Sequence, residues 1–271
     1  MKKLLICLTT FGVISITTTT ATILAVDTFP ENFDNFTVQT SGGMDGLSWS
    51  SDAGVGGVDG RINVGSGSQW HNNAVYYSGA GSAITWETDL VYGASIKFLP
   101  GTISGDISHV TTGFIRSTGS NFLGGGSGVW GQLRNDDGGT YLRLFQQNTQ
   151  VGSNSDTFTL SNTLWYELET SMTLSSATQG ELSVSLYSRG TDGTAERTLV
   201  ESIFATDVTI GSNGFSEATL FAGFGGGNNS GATIAAFDNF SVTAIPEPRV
   251  YAALAGLFAL GLVLMRRRRR D

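Results

Sequence analysis

The sequence predicts an all-β chain, a two-sheet antiparallel sandwich of the jelly-roll kind. Short runs alternate apolar and polar residues with a period of two, and Gly-rich turn signals separate them. No run through the middle of the chain keeps a helical period. Gly supplies 37 of 271 residues and charged side chains only 14%, which leaves little material for amphipathic helices and much for strands and turns.

The clearest strand runs from Leu164 to Leu174. Leu164, Tyr166, Leu168, Met172 and Leu174 share one face, while Glu167, Glu169, Ser171 and Thr173 take the other, the pattern of a half-buried strand. Glu181 to Ser188 repeats it, and the short connector Ser175 to Gly180 makes the two an antiparallel pair. Further strands are expected at Ala94 to Leu99, Gly113 to Arg116, Tyr141 to Gln146, Leu199 to Ala205, Ala218 to Phe224 and Thr233 to Val242. The stretches Gly54-Val55-Gly56-Gly57, Gly124-Gly125-Gly126, Asp137-Gly138-Gly139 and Gly225-Gly226-Gly227-Asn228-Asn229 read as the loops between them.

Both ends differ in kind from this middle. At the N-terminus, Lys2 and Lys3 precede the apolar run Leu4 to Ile16, and a small-residue stretch ends at Ala25, the pattern of a signal peptide over 1–25. At the C-terminus, segment 245–271 carries Pro246-Glu247-Pro248, the uncharged run Val250 to Met265 and the cluster Arg266, Arg267, Arg268, Arg269 and Arg270. As a helix that run would extend about 24 Å, short of a bilayer core of about 30 Å, so it spans with snorkelling arginines or a thinned bilayer. The arginines stay on the cytoplasmic side and the chain before them lies across the membrane. The domain between the ends covers 26–244 and holds 7 basic against 21 acidic residues, a net charge of -14. That balance excludes nucleic acid as a partner, since phosphate backbones require basic patches.

The motif at Pro246, Glu247 and Pro248, the apolar span 250–265 and the terminal Arg cluster, in that order, resemble the PEP-CTERM sorting signal. The resemblance implies a Gram-negative bacterium and a precursor held in the inner membrane with its C-terminus in the cytoplasm. A signal peptidase and an exosortase-type protease would be its processing partners, and the mature form would reside at the cell surface or in the extracellular matrix, alongside exopolysaccharide.

Within the domain, Phe33-Asp34-Asn35-Phe36-Thr37-Val38 returns as Phe237-Asp238-Asn239-Phe240-Ser241-Val242. First and last strands that lie together would place Asp34 near Asp238, where a structural Ca2+ would draw oxygens from both carboxylates. The alternative is an Asp-Asn turn before each strand.

Asn162-Thr163-Leu164-Trp165-Tyr166-Glu167-Leu168 and the closing Ala236 to Val242 resemble the concanavalin A-like lectin and laminin G-like jelly rolls. That resemblance implies glycan binding, in some cases with hydrolysis. The laminarinase-like pattern Glu-x-Asp-x-x-Glu is met only by Glu87-Thr88-Asp89-Leu90-Val91-Tyr92, with Tyr92 where the final acid belongs. Glu167 and Glu169 read as a solvated pair, and His71 and His109 as surface or loop residues. No nucleophile elbow or phosphate loop is present, and the lone Cys7 lies in the signal peptide, so no enzyme activity is expected. Binding remains, and Trp70 and Trp130, in loop-like contexts, are the candidate rings for stacking on sugars. The alternatives are a structural matrix component with no specific ligand and a degenerate glycoside hydrolase. Intact mass of protein recovered from the cell surface is expected to show loss of 1–25 and cleavage at the Pro246 to Pro248 motif; a mass matching the complete chain would contradict the sorting reading.

Overall fold

A half-buried strand must lay its apolar face on another layer, and the strands here satisfy that demand as two antiparallel sheets packed face to face. The computed structural model describes residues 22–29, 32, 34–40, 47–57, 60–64, 73–78, 83–85, 87, 90–101, 108–115, 128–136, 138–146, 149–176, 179–208, 221–228 and 234–246. In chain order the strands begin with β1 (Thr22–Asp27), β2 (Phe36–Thr40), β3 (Leu47–Ser50), β4 (Arg61–Val64) and β5 (Asn73–Tyr77). They continue with β6 (Leu90–Pro100), β7 (Ser108–Ile115), β8 (Gly128–Asp136), β9 (Gly139–Gln146) and β10 (Thr149–Val151). The last five are β11 (Tyr166–Leu174), β12 (Gly180–Ser188), β13 (Thr198–Val208), β14 (Phe221–Asn228) and β15 (Ile234–Pro246).

One sheet has eight strands in the order β13-β12-β11-β6-β15-β4-β3, with β1 also pairing to β15. The other has seven, in the order β10-β9-β8-β7-β14-β5-β2. The expected pair Leu164 to Leu174 and Glu181 to Ser188 forms as β11 and β12, antiparallel from Tyr166 opposite Ser188 to Leu174 opposite Gly180. The fold is the expected two-sheet antiparallel sandwich. Its core comes from the inward positions of both sheets, among them Ile96, Phe98, Leu168 and Val184 from one and Phe114, Leu133, Leu142 and Phe224 from the other.

Phe224 is the hub of that core. Its ring centroid lies 5.2 Å from Phe237, 5.5 Å from Phe240, 5.6 Å from Phe36 and 6.0 Å from Phe29. Phe237 and Phe240 are three residues apart, so a regular strand would aim them at opposite faces. A register shift on β15 between Asp238 and Ser241, with Asn239 at φ 49°, inserts one extra residue and returns Phe240 to the interior. Asn tolerates this left-handed conformation better than most side chains. Asp238 holds the bulge by accepting from Asn239 N at 2.6 Å and from Val55 N at 2.6 Å.

Two Gly-rich stretches expected to be loops are strands. Gly225, Gly226 and Gly227 lie in β14, and Gly128-Val129-Trp130-Gly131 opens β8. Their glycines answer to packing: a Cβ on Gly226 would sit 2.8 Å from the Phe237 ring, and one on Gly131 would sit 2.4 Å from Val184 Cγ2. Gly138 does lie in the turn from β8 to β9, and Val55–Gly57 forms a short 3-10 turn.

The point after Ala25 expected for signal-peptide cleavage falls inside β1, where Ala25 pairs with Val242. Pro246 ends β15 opposite Leu90. Glu247, Pro248, the span 250–265 and Arg266 to Arg270 lie outside the described residues. Among the described residues no helix is long and apolar enough to cross a membrane.

The sheets are bridged where Thr170 of β11 enters the ladder of the opposite sheet. Its Oγ1 accepts from Gly131 N at 3.0 Å and from the Thr112 hydroxyl at 2.7 Å, and donates to Thr112 O at 2.9 Å. Gly131→Ala is therefore expected to lower stability by about 1–3 kcal/mol through overpacking against Val184 and Thr170. A urea titration checks this, and an unchanged midpoint would show that the sheets separate without cost there.

Candidate functional site

With Thr112 and Gly131 turned inward, the alternation of β7 and β8 aims their neighbours at the outer face of the seven-stranded sheet. Cross-strand register then composes that face in rows. One row runs Gly223, Gly113, Trp130 and Phe145; the next runs Gly225, Thr111, Gln132 and Arg143; a third runs Gly227, His109, Arg134 and Tyr141. In these three rows β14 contributes glycines, with its Phe221 packed beside Ile115 and Trp130 at the next outward position, while β7, β8 and β9 contribute a polar and aromatic cluster.

The cluster is built in layers of contact. Trp130 is 2% exposed and stacks on Phe145 with centroids 5.7 Å apart and rings 15° from parallel. The Arg143 guanidinium carbon lies 5.0 Å from the Phe145 centroid and 5.8 Å from that of Tyr141, within cation–π range. Arg143 donates through Nε, at 3.2 Å, and through Nη2 to Gln132 Oε1. Arg134 Nε and the Tyr141 hydroxyl both donate to Asp136 Oδ2, at 2.9 and 2.6 Å. Burial opposes ionisation of Asp136, but the bonds from Tyr141 and Arg134 prevail and hold its carboxyl below the usual range.

Three polar atoms on this face are buried with no hydrogen-bond partner among the described residues: His109 Nε2, Thr111 Oγ1 and Trp130 Nε1. Each such atom costs about 1–3 kcal/mol relative to one with a partner, so three on one face are unusual for a purely structural surface. Burial, reinforced by the charges of Arg134 and Arg143, pushes the His109 imidazole down to about 3. It is a neutral imidazole across the physiological range.

The residues singled out from sequence are placed as follows. Trp130, expected in an exposed loop, lies in β8 and is buried, because Gly128 and Gly131 serve close packing instead of a turn. His109, expected at the surface, is 7% exposed in β7. Trp70, His71, Trp86 and Asp89 lie outside the described residues. Glu87 is exposed, and its backbone N donates to the Tyr92 hydroxyl at 3.1 Å. Tyr92 itself belongs to the core between the sheets.

The Asp34 and Asp238 motifs do meet, but through Phe36 and Phe240, whose centroids are 5.4 Å apart across the interior. Asp34 is exposed at the start of the seven-stranded sheet and accepts from Asn32 Nδ2 at 2.9 Å. Asp238 belongs to the eight-stranded sheet, with both carboxylate oxygens committed to backbone N–H groups. This donor set does not fit a shared Ca2+. Among the described residues no group of three or more His, Cys, Asp or Glu is arranged to hold a metal ion.

Glu167 and Glu169 are not the solvated pair expected. The segment 189–197 folds over the outer face of the eight-stranded sheet, held by Gly56 N on Asp192 O at 2.6 Å and by Lys97 Nζ on Gly193 O at 2.9 Å. It brings Arg197 onto both carboxylates and Arg189 Nε to 3.4 Å from Glu167 Oε2, leaving Glu167 4% exposed. Trp165 packs beneath the same segment with Val55 and Ala236.

No protein-family model matches the chain, and a search of characterised proteins finds no relative. Solved structures do match in fold. A PL-14 alginate lyase from Aplysia kurodai superposes with a TM-score of 0.52 at 14% identity, over 84% of this chain and 100% of that one. Arcelin-5, a lectin-like defence protein from Phaseolus vulgaris, gives 0.51 at 12% identity over 82% and 99%. A legume lectin-like domain from Entamoeba histolytica gives 0.50 at 7% identity over 79% and 91%. The fold is legume-lectin-like. At these identities the likeness establishes architecture and leaves the activity to the residues.

The buried neutral His109 has a consequence in acid. An unfolded chain protonates this imidazole near 6.5, the folded chain near 3, so between those values unfolding takes up a proton. Stability contributed by the neutral ring is complete above about 6.5 and falls as pH drops towards 3, by at most about 1.4 kcal/mol per pH unit. Thermal melts at pH 7 and pH 5 are expected to show a smaller Tm loss for His109→Gln than for the wild type; equal losses would show that His109 is not buried as the neutral form.

Proposed function

We propose that this chain is an exported, non-catalytic carbohydrate-binding protein that takes a polysaccharide on the outer face of its seven-stranded sheet. The observation that carries the reading is the set of three buried, unpartnered polar atoms, from His109, Thr111 and Trp130, beside the half-buried Tyr141, Arg143 and Phe145 of β9. A sugar polymer offers hydroxyls and ring oxygens to such atoms, and the half-buried Tyr141, Arg143 and Phe145 are where it would make its first contact. The lectin-like fold supports the same class of ligand.

The absence of catalysis rests on the carboxylates. Glu167 and Glu169 are committed to Arg197, and Asp136 to Arg134 and Tyr141, so none of these stands ready as a protonated acid beside a second carboxylate. Sorting rests on the terminal segments: a signal peptidase would remove the N-terminal peptide, and an exosortase-type protease would act at Pro246, Glu247 and Pro248, releasing the domain to the cell surface or matrix. There the exopolysaccharide is the natural ligand. One feature favours the second reading, a structural matrix component: the edge strand β13 exposes Phe204 (78%) and Leu199 (56%), an apolar edge suited to self-association.

Retention on immobilised polysaccharides tests both. The wild type is expected to bind at least one, and Trp130→Ala to lose about tenfold in affinity, the scale of one buried anchor. Thr111→Val, nearly isosteric, is expected to weaken binding while raising the melting temperature, since it removes a buried hydroxyl that has no partner among the described residues. Saccharide-independent self-association with no retention on any glycan would sink the binding reading in favour of the structural one.

A further inference from the structure

We propose that the ligand of this face is an acidic polysaccharide, and that the Arg143 guanidinium receives a uronate carboxylate. The inference rests on the carbohydrate reading above and specifies its substrate class. It follows from an imbalance of donors and acceptors. Trp130 Nε1 and the arginines can only donate, and the Thr111 hydroxyl is free to donate. Most acceptors facing them are already spent, Gln132 Oε1 on Arg143, Asp136 Oδ2 on Arg134 and Tyr141, and Asp136 Oδ1 on Gly138 N, which leaves only His109 Nε2 and the Thr111 oxygen. A neutral sugar, whose hydroxyls donate as well as accept, would leave this face with more donors than acceptors. A carboxylate only accepts.

Charge points the same way. Among the described arginines, Arg61 is paired with Asp52, Arg134 with Asp136, and Arg189 and Arg197 with Glu167. Arg143 makes no salt bridge among the described residues: its hydrogen-bond partner is the neutral amide of Gln132, Arg134 repels it from the neighbouring row, and Asp136, which attracts it from beyond salt-bridge distance, is itself bonded to Arg134 and Tyr141. A half-buried guanidinium with no directly bonded counter-ion is costly. The planar fork of Arg143 matches a carboxylate in two parallel bonds. It is already oriented by its contact with the Phe145 ring and by Gln132, so little freedom is lost on binding.

The probes are polygalacturonate, the same polymer as its methyl ester, and the neutral glucan laminarin, each titrated against the full chain by calorimetry. Polygalacturonate is expected to bind at least about tenfold more tightly than the ester, with affinity falling as salt rises. Arg143→Gln is expected to narrow the acid-to-ester ratio to within about twofold. Should that variant fail to fold, the wild-type ratio and its salt dependence decide alone. Equal or tighter binding of the ester or laminarin overturns the acidic specificity and leaves the carbohydrate reading standing. Binding to none of the three, with retention on another neutral glycan, overturns it in the same way, and retention on no glycan at all overturns both.

Discussion

Thr170 governs what each side of the sandwich presents. Its hydroxyl group accepts from Gly131 N and donates to Thr112 O, so a side chain of one sheet occupies a place in the backbone ladder of the other. A polar bridge of this kind in the interior tolerates no slip, since a one-residue shift would strand buried N–H and C=O groups and turn every side chain of β7 and β8 over. Because Thr112 and Gly131 are held inward, His109, Thr111, Trp130, Gln132 and Arg134 must face outward. The candidate site is thus a consequence of core register, with its residues presented by strands and not by loops, which suits a rigid, preorganised surface.

The closing strand solves a second geometric problem. Phe224 needs aromatic neighbours from both Phe237 and Phe240, and only the extra residue at Asn239 lets both point inward. The same bulge turns Asp238 towards Val55, anchoring the short 3-10 turn on which segment 189–197 rests through Gly56. Gly226 yields the space that Phe237 fills.

Much of the architecture was legible in the chain. β11 and β12 alternate cleanly, and their pairing followed from the short connector. β8 and β14 were illegible for a physical reason: in both, glycines stand where a side chain would collide with a neighbouring element, and a local reading takes glycine for a turn. The burial of Glu167 depends on Arg189 and Arg197, twenty or more residues away, so its pattern alone looked solvated. His109, Thr111, Gln132 and Arg143 carry no shared motif. They meet only through the register of β7, β8 and β9, which a single sequence does not display. The Trp130 signal was present, but its exposure was misjudged because Phe145, its stacking partner, lies on the next strand.

The charge of the domain sharpens the meaning of that face. With 21 acidic and 7 basic residues between 26 and 244, most of the surface repels an anionic polymer. Generic attraction to acidic glycans is therefore absent, and a uronate chain would be admitted only where Arg143, Arg134 and the unpartnered donors outweigh the surrounding field. Repulsion elsewhere would then act as a selectivity device, since it penalises every binding pose except the one at Arg143. A basic domain would hold the same polymer at many places, loosely and at any register. Under the proposed reading, an acidic domain with a donor-rich face would hold such a polymer in a single orientation.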